Sequence, residues 1–222
     1  SLADAQNSFA GIIKNLDGSE SWVGCPLVIH RRCKDPMFTV SNELSYGGFM
    51  INRTMNPKEL IDPCKESCWI TYDASNIGSS TGKDRYIQLQ GQIAFELIQK
   101  LRARNTRFKD IFIITPFTSV AYGFKKYIKS ISDDIVNWTK EDNKKDWLND
   151  NIGTVHTFQG KEAKVLIYML GCQSDGSANG AIKWVNANNV NVALTRAKEY
   201  VYVIGDAVKW RELNKNLAFA QR

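Results

Sequence analysis

Short runs that are apolar at every position, instead of every second one, decide what sheet this chain can build. Pro26 to Ile29, Val165 to Leu170 and Tyr200 to Ile204 are such runs, and Ile111 to Thr115 and Cys68 to Tyr72, each apolar but for one threonine, are close to it. A strand with one wet face alternates apolar and polar residues. A run without alternation is a strand covered on both faces, the pattern of a parallel sheet between helices. The intervening segments supply the helices. Ile87 to Arg104 carries apolar residues at 89, 93, 94, 97, 98 and 101, one face of a helix. Val120 to Ile131 and Val190 to Ala197 are shorter candidates, the second with Asn188 or Asn189 as its N-cap. Strands alternating with helices predict an α/β fold, a doubly wound and mainly parallel sheet with helices on both faces. In such sheets ligands bind beyond the carboxyl ends of the strands, so functional residues are expected to follow strands closely.

The 222 residues suffice for one sizeable domain, and no repeat or low-complexity tract argues for more. The organisation expected is a single domain over 1–222, with a lead-in segment at 1–24 and a polar surface loop or small insertion at 132–149, anchored by Trp138 and Trp147. The start at Ser1-Leu-Ala-Asp reads as though cut from a longer chain, without the charged and apolar regions of a signal peptide. Apolar runs fall far short of the roughly twenty residues a membrane helix needs, so no bilayer crossing is expected. Five cysteines, an odd number, read as reduced thiols of a cytoplasmic protein. Cys25, Cys33, Cys64 and Cys68 lack the usual spacing of zinc ligands, and no metal site is predicted. The net charge of +6 is compatible with a polyanionic partner.

Three polar segments adjoin the strands. Gly153 to Glu162 leads into the run at Val165, Asn191 to Lys198 leads into the run at Tyr200, and His30 to Met37 follows Ile29. Each has an ordinary explanation when taken alone. Gln159-Gly160 can be a turn, Arg196 can pair with a surface acid, and His30 to Lys34 can be a solvated basic loop.

In this order and spacing the three resemble motifs IV, V and VI of superfamily 1 helicases, in the group that includes the nonsense-mediated decay helicase and related 5′-to-3′ enzymes. Motif IV of that group reads roughly Gln-Tyr-Arg-Met-x-Pro, and His30-Arg31-Arg32-Cys33-Lys34-Asp35-Pro36 stands in its place. Motif V, Thr-Val-Asp-x-Phe-Gln-Gly-x-Glu, is similar to Thr154 to Glu162, with His156 where the group has an acid. Motif VI, Asn-Val-Ala-x-Thr-Arg-Ala, is matched throughout by Asn191 to Ala197, and Ile113 to Phe117 looks like the family's Ile-Thr-Pro-Tyr stretch. The resemblance spans about Pro26 to Asp206.

It implies a RecA-like motor domain, the second of two, related to the P-loop NTPases but without a P-loop of its own. Arg32 and Arg196 would be catalytic, meeting the charge that spreads over the γ-phosphate oxygens during phosphoryl transfer, with Arg31 the competitor for Arg32's place. Gln159 and Gly160 would let the backbone approach ATP, and Glu162 would accept from the ribose hydroxyls. Thr115, Thr154 and His156 would face a single strand of DNA or RNA, contacting phosphate without reading sequence. For His156 a packed structural histidine is an equal alternative. The ligands of Mg2+, the phosphate loop and the catalytic carboxylate would come from an N-terminal RecA-like domain of the same protein, without which the chain should neither hydrolyse ATP nor unwind a duplex.

Gly78 to Asp84 only imitates a phosphate loop: position 77 is Ile where the signature wants Gly, and Asp84 replaces its Ser or Thr, so a linker is the reading. Lys125, Lys126 and Lys129 read first as a solvated helix face and second as a phosphate track. Two rivals to the motor are a degenerate helicase-like module that binds without turnover, favoured by the altered motif IV, and a stand-alone nucleotide-sugar or nucleotidyl enzyme. The second needs a complete glycine-rich loop, which this sequence does not contain.

Overall fold

The computed structural model describes residues 11–23, 28–54, 67–72, 85–136, 138–139, 142–172, 181–182 and 185–213, with the side chains of 11–14 and 21–23 left out. Cys25, Cys64 and the 78–84 segment lie outside the described residues. Five parallel strands form the main sheet: β5 (Cys68–Ile70), β6 (Ile111–Thr115), β7 (Ile152–Thr154), β8 (Ala163–Met169) and β9 (Ala197–Ile204), in the order β5-β9-β8-β6-β7. The earlier strands stand apart. β1 (Gly11–Lys14) and β2 (Glu20–Val23) make an antiparallel hairpin within the expected lead-in, and β3 (Ile29–His30) pairs in parallel with β4 (Ile51–Asn52).

The continuous apolar runs behave as their composition requires. Every residue of β6 is buried, and so are Val165 to Met169 of β8 and Tyr200 to Ile204 of β9. Two-faced burial follows from the connections. β5 to β6 and β6 to β7 step one way across the sheet, while β7 to β8 and β8 to β9 step back. Right-handed crossovers put the two pairs of connections on opposite faces. One face carries α2 (Gln88–Ala103) and α3 (Thr118–Ser130), which pack on each other; the other carries α6 (Ala187–Leu194), which touches the 155–158 turn and α1 (Met37–Ser45). This is an α/β, RecA-like architecture. Each buried Ile, Leu or Phe contributes about 1.5–3 kcal/mol, more than an exposed ion pair returns, so the sheet and its helices form the frame on which the polar segments hang.

Several boundaries move. The last helix before β9 covers Ala187–Leu194 instead of 190–197, and its N-cap is Asn186, whose Oδ1 accepts Asn189 N–H at 3.0 Å, not Asn188 or Asn189. β9 begins at Ala197, three residues early, because Ala197 pairs with Ala163 and the strand must start where its neighbour does. The described residues of the 132–149 stretch hold two short helices, α4 (Asp133–Val136) and α5 (Lys144–Asp150). Its two tryptophans are the anchors: Trp138 stacks on Phe108 at 4.1 Å between ring centroids, and Trp147 Nε1 donates to Phe108 O at 2.8 Å. α7 (Ala207–Leu213) closes the described chain. Among the described residues no helix is long and apolar enough to cross a membrane.

Candidate functional site

The polar segments fall at two ends of the sheet. Glu162 immediately precedes β8 and Arg196 immediately precedes β9, so both sit at the amino ends of their strands. The expectation that functional residues follow strands is therefore corrected for this pair. The reason lies in the pairing: Ala163 N–H donates to Arg196 O at 3.0 Å, which fixes the two residues side by side as their strands begin. Thr115 and Thr154 do end their strands, β6 and β7, and pair in register at the carboxyl end.

At the amino end, three cations surround one carboxylate. Arg32 Nε lies 2.7 Å from Glu162 Oε1, and Lys198 Nζ lies 3.1 Å from Glu162 Oε2. Arg196 is 8% exposed and, among the described residues, bonds neutral oxygens: Nε donates to Val192 O at 3.0 Å, Nη1 to Lys161 O at 3.4 Å and Nη2 to Thr195 Oγ1 at 3.5 Å. Burial first, and the Arg32 guanidinium second, hold its pKa below the ordinary arginine value, while Glu162 pulls the other way. Arg32, Arg196 and Lys198 against Glu162 alone leave two positive charges in excess. An excess of one sign of charge at such a place attracts anions. The Arg32–Glu162 pair is partly exposed, so it contributes at most about 1 kcal/mol and gives way easily to a better acceptor. The structure also separates the two motif IV arginines: Arg32 enters the cluster, while Arg31 is exposed and, among the described residues, forms no ion pair.

Arg32 reaches Glu162 because its loop is pinned at both sides. His30 Nε2 accepts Cys33 N–H at 2.9 Å, and Lys34 N–H donates to Lys198 O at 3.2 Å, tying the loop to β9. Asn191 of motif VI receives the Ser41 hydroxyl, which joins α6 to α1. Lys198 is the residue that sequence reasoning missed as a site member. It closes the Arg196 segment, but its approach to Glu162 comes from the Ala163–Ala197 register, which no local pattern reveals.

The loop from β7 to β8 carries the remaining residues. Gln159 and Gly160 are exposed, and Gly160 has φ +80, a left-handed conformation that glycine alone adopts cheaply. Among the described residues beyond its chain neighbours, no atom lies within 4 Å of where its Cβ would be, so backbone geometry is what demands glycine here. Gly153 is required for the opposite reason: a Cβ there would meet Thr157 Oγ1 at 2.5 Å. Thr154 is half-buried and His156 exposed. Thr115 is 1% exposed, and its Oγ1 accepts Phe117 N–H at 3.3 Å, which turns the hydroxyl behind the surface and makes it a brace for the bend into α3.

The site is thus a net positive cluster beside a glycine-opened loop. Among the described residues no three His, Cys, Asp or Glu side chains converge as metal ligands would. No curated protein matches the sequence. A family model described as an AAA domain matches residues 25–208, which covers all three polar segments and the whole parallel sheet. The chain belongs to this AAA domain family, a domain found in superfamily 1 helicase-like proteins.

Proposed function

We propose that this chain is the second motor domain of an ATP-dependent superfamily 1 helicase, contributing arginines to an ATP site completed by another RecA-like domain. The single observation that carries the reading is the cluster at the amino ends of β8 and β9, where Arg32 and Lys198 share the Glu162 carboxylate and Arg196 lies beside them on neutral oxygens. Bound there, ATP supplies a phosphoryl group whose transfer to water drives the motor. Arg196 is oriented by Val192 O and Lys161 O, so its fork is fixed before any ligand arrives, which reduces the reorganisation needed during reaction. Arg32 exchanges a partly exposed carboxylate for a phosphate oxygen at small cost. Glu162 retains lone pairs for the ribose hydroxyls, and the exposed Gln159-Gly160 backbone lies open to the nucleotide. Mg2+ ligands belong to the partner motor domain in this reading.

Single-stranded DNA or RNA runs past the other end, at Thr154 and His156, with Thr115 holding the shape of the turn. Hydroxyl, imidazole and backbone groups there suit phosphate oxygens without sequence readout. The test is ATP turnover stimulated by single strands: present in the complete protein and absent from the 222-residue chain alone. Sustained turnover by the purified chain, proportional to its concentration and lost with Arg196→Ala, would show that the site needs no second domain.

A further inference from the structure

We propose that His30 is a positioning residue for Arg32, acting as a neutral hydrogen-bond acceptor that shapes the loop so that the guanidinium faces Glu162. This rests on the reading of Arg32 as a phosphate-facing arginine for its catalytic consequence, but not for its geometry. The loop from β3 to α1 has to reverse within a few residues of His30. A backbone turn would close through the His30 carbonyl, yet that carbonyl is committed to β4, accepting Arg53 N–H at 2.8 Å. The side chain takes over the turn. His30 Nε2 accepts Cys33 N–H at 2.9 Å, and Cys33 Sγ lies 3.1 Å from the same nitrogen. Side chains that bond the backbone a few residues on replace turn hydrogen bonds in this way.

The acceptor is held in place and kept neutral. The His30 ring packs on Phe38 of α1 at 5.2 Å between centroids, tilted by 51°. Burial, and then the Arg32 charge, keep the imidazole pKa below its ordinary value, which favours the neutral ring, and acceptance of Cys33 N–H by Nε2 places the ring hydrogen on Nδ1. Cys33 is fully buried, and burial pushes its thiol up to about 12, so no thiolate competes for Arg32. One residue beyond, Lys34 N–H is fixed to β9. Arg32 is thus strung between two anchors, and its Nε–H meets Glu162 at 2.7 Å. Removing the first anchor frees the loop on one side and lets Arg32 swing into solvent, where it is already 45% exposed.

The test reads Arg32 first and turnover second. In the 222-residue chain, nitrogen-15 NMR of the Arg32 Nε–H should show slow solvent exchange in the native sequence. Exchange should become about tenfold faster or more in His30→Ala, and in His30→Leu, which packs on Phe38 without an acceptor, and should return toward native in His30→Gln, a neutral acceptor of similar reach. Unchanged protection in His30→Leu overturns the proposal, as does failure of His30→Gln to restore it in a folded variant. In the complete protein, His30→Ala should lower kcat about tenfold with ATP KM within about twofold, and should add nothing to Arg32→Ala. If Arg32→Ala itself leaves kcat unchanged, the catalytic reading of Arg32 falls, while the NMR result still decides whether His30 positions it.

Discussion

The two ends of the parallel sheet are built from different materials. At the amino ends of β8 and β9 the site is made of charge: Arg32, Arg196 and Lys198 around Glu162. At the carboxyl ends of β6 and β7 it is made of small neutral groups, with Thr154 half-buried, His156 exposed, and Thr115 turned inward to brace a bend. An excess of cations held on strand starts suits a compact, highly charged ligand that changes charge as it reacts. Hydroxyls and a loop suit a ligand that must be held and released repeatedly, since neutral contacts to phosphate are individually weak. Under the proposed function the difference separates a place for chemistry from a place for a track, and that reading predicts that substitutions at one end leave the other end's property alone.

The largest effect should come from the buried arginine. In the complete protein, Arg196→Ala is expected to lower kcat by a factor on the order of 10³–10⁵, the range for a lost arginine finger. ATP KM and single-strand affinity should move by less than about threefold. Steady-state turnover and fluorescence anisotropy with a labelled single strand measure the two properties side by side. An unchanged kcat sinks the assignment of Arg196. A kcat loss matched by an equal loss of strand binding would break the separation of the ends.

The converse variant gives a smaller effect. Thr154→Ala combined with His156→Ala should weaken single-strand binding about five- to tenfold, as expected for losing one or two phosphate contacts. Turnover measured without nucleic acid should stay within about twofold. If His156 is a structural residue, His156→Ala alone leaves strand affinity untouched and the double variant behaves as Thr154→Ala does. This outcome would move the track away from the 155–158 turn.

How much of this was legible beforehand depends on whether a signal was local. The strands Ile111–Thr115 and Ala163–Met169 and the helix Gln88–Ala103 were readable because burial on two faces, or on one helical stripe, writes itself directly into the residue pattern. The chemical identities of Arg32, Glu162 and Arg196 were readable through motif resemblance. The place of Glu162 and Arg196 ahead of strands was readable too, since their segments lead into the runs at Val165 and Tyr200; their side-by-side alignment was not. It depends on Ala197 to Glu199 joining β9, and the exposed Lys198 interrupts the apolar run that would have announced the full strand. Lys198 itself was invisible as a site member because its meeting with Glu162 follows from the long-range pairing of Ala163 with Ala197. Thr115 is a different case: its place at the end of β6 was evident, but the inward turn of its hydroxyl is set by Phe117 N–H, a detail of the bend that the alternation of residue types does not encode.

The smallest expected effect probes the charged end most finely. Glu162→Gln keeps the shape of the side chain and removes the only negative charge among the cluster residues Arg32, Arg196, Lys198 and Glu162. Its amide oxygen can still accept from Arg32 Nε, but its NH2 would face Lys198, donor against donor. Stability should fall by a few tenths to about 1 kcal/mol at low ionic strength, since both ion pairs are partly exposed, and most of that loss should disappear at about 1 M salt. Thermal melting at two salt concentrations measures it. Binding should shift in the opposite sense for the phosphates: inorganic tripolyphosphate should bind about two- to threefold tighter once the cluster has no internal counter-charge. Discrimination between ATP and 2′-deoxy-ATP should narrow at the same time, because an amide accepts the ribose hydroxyl more weakly than a carboxylate does. Calorimetry with the three ligands separates the two contributions. Tighter tripolyphosphate with unchanged ribose discrimination would leave Glu162 as a counter-ion to Arg32 and Lys198 alone, and would move ribose recognition to the Gln159-Gly160 loop.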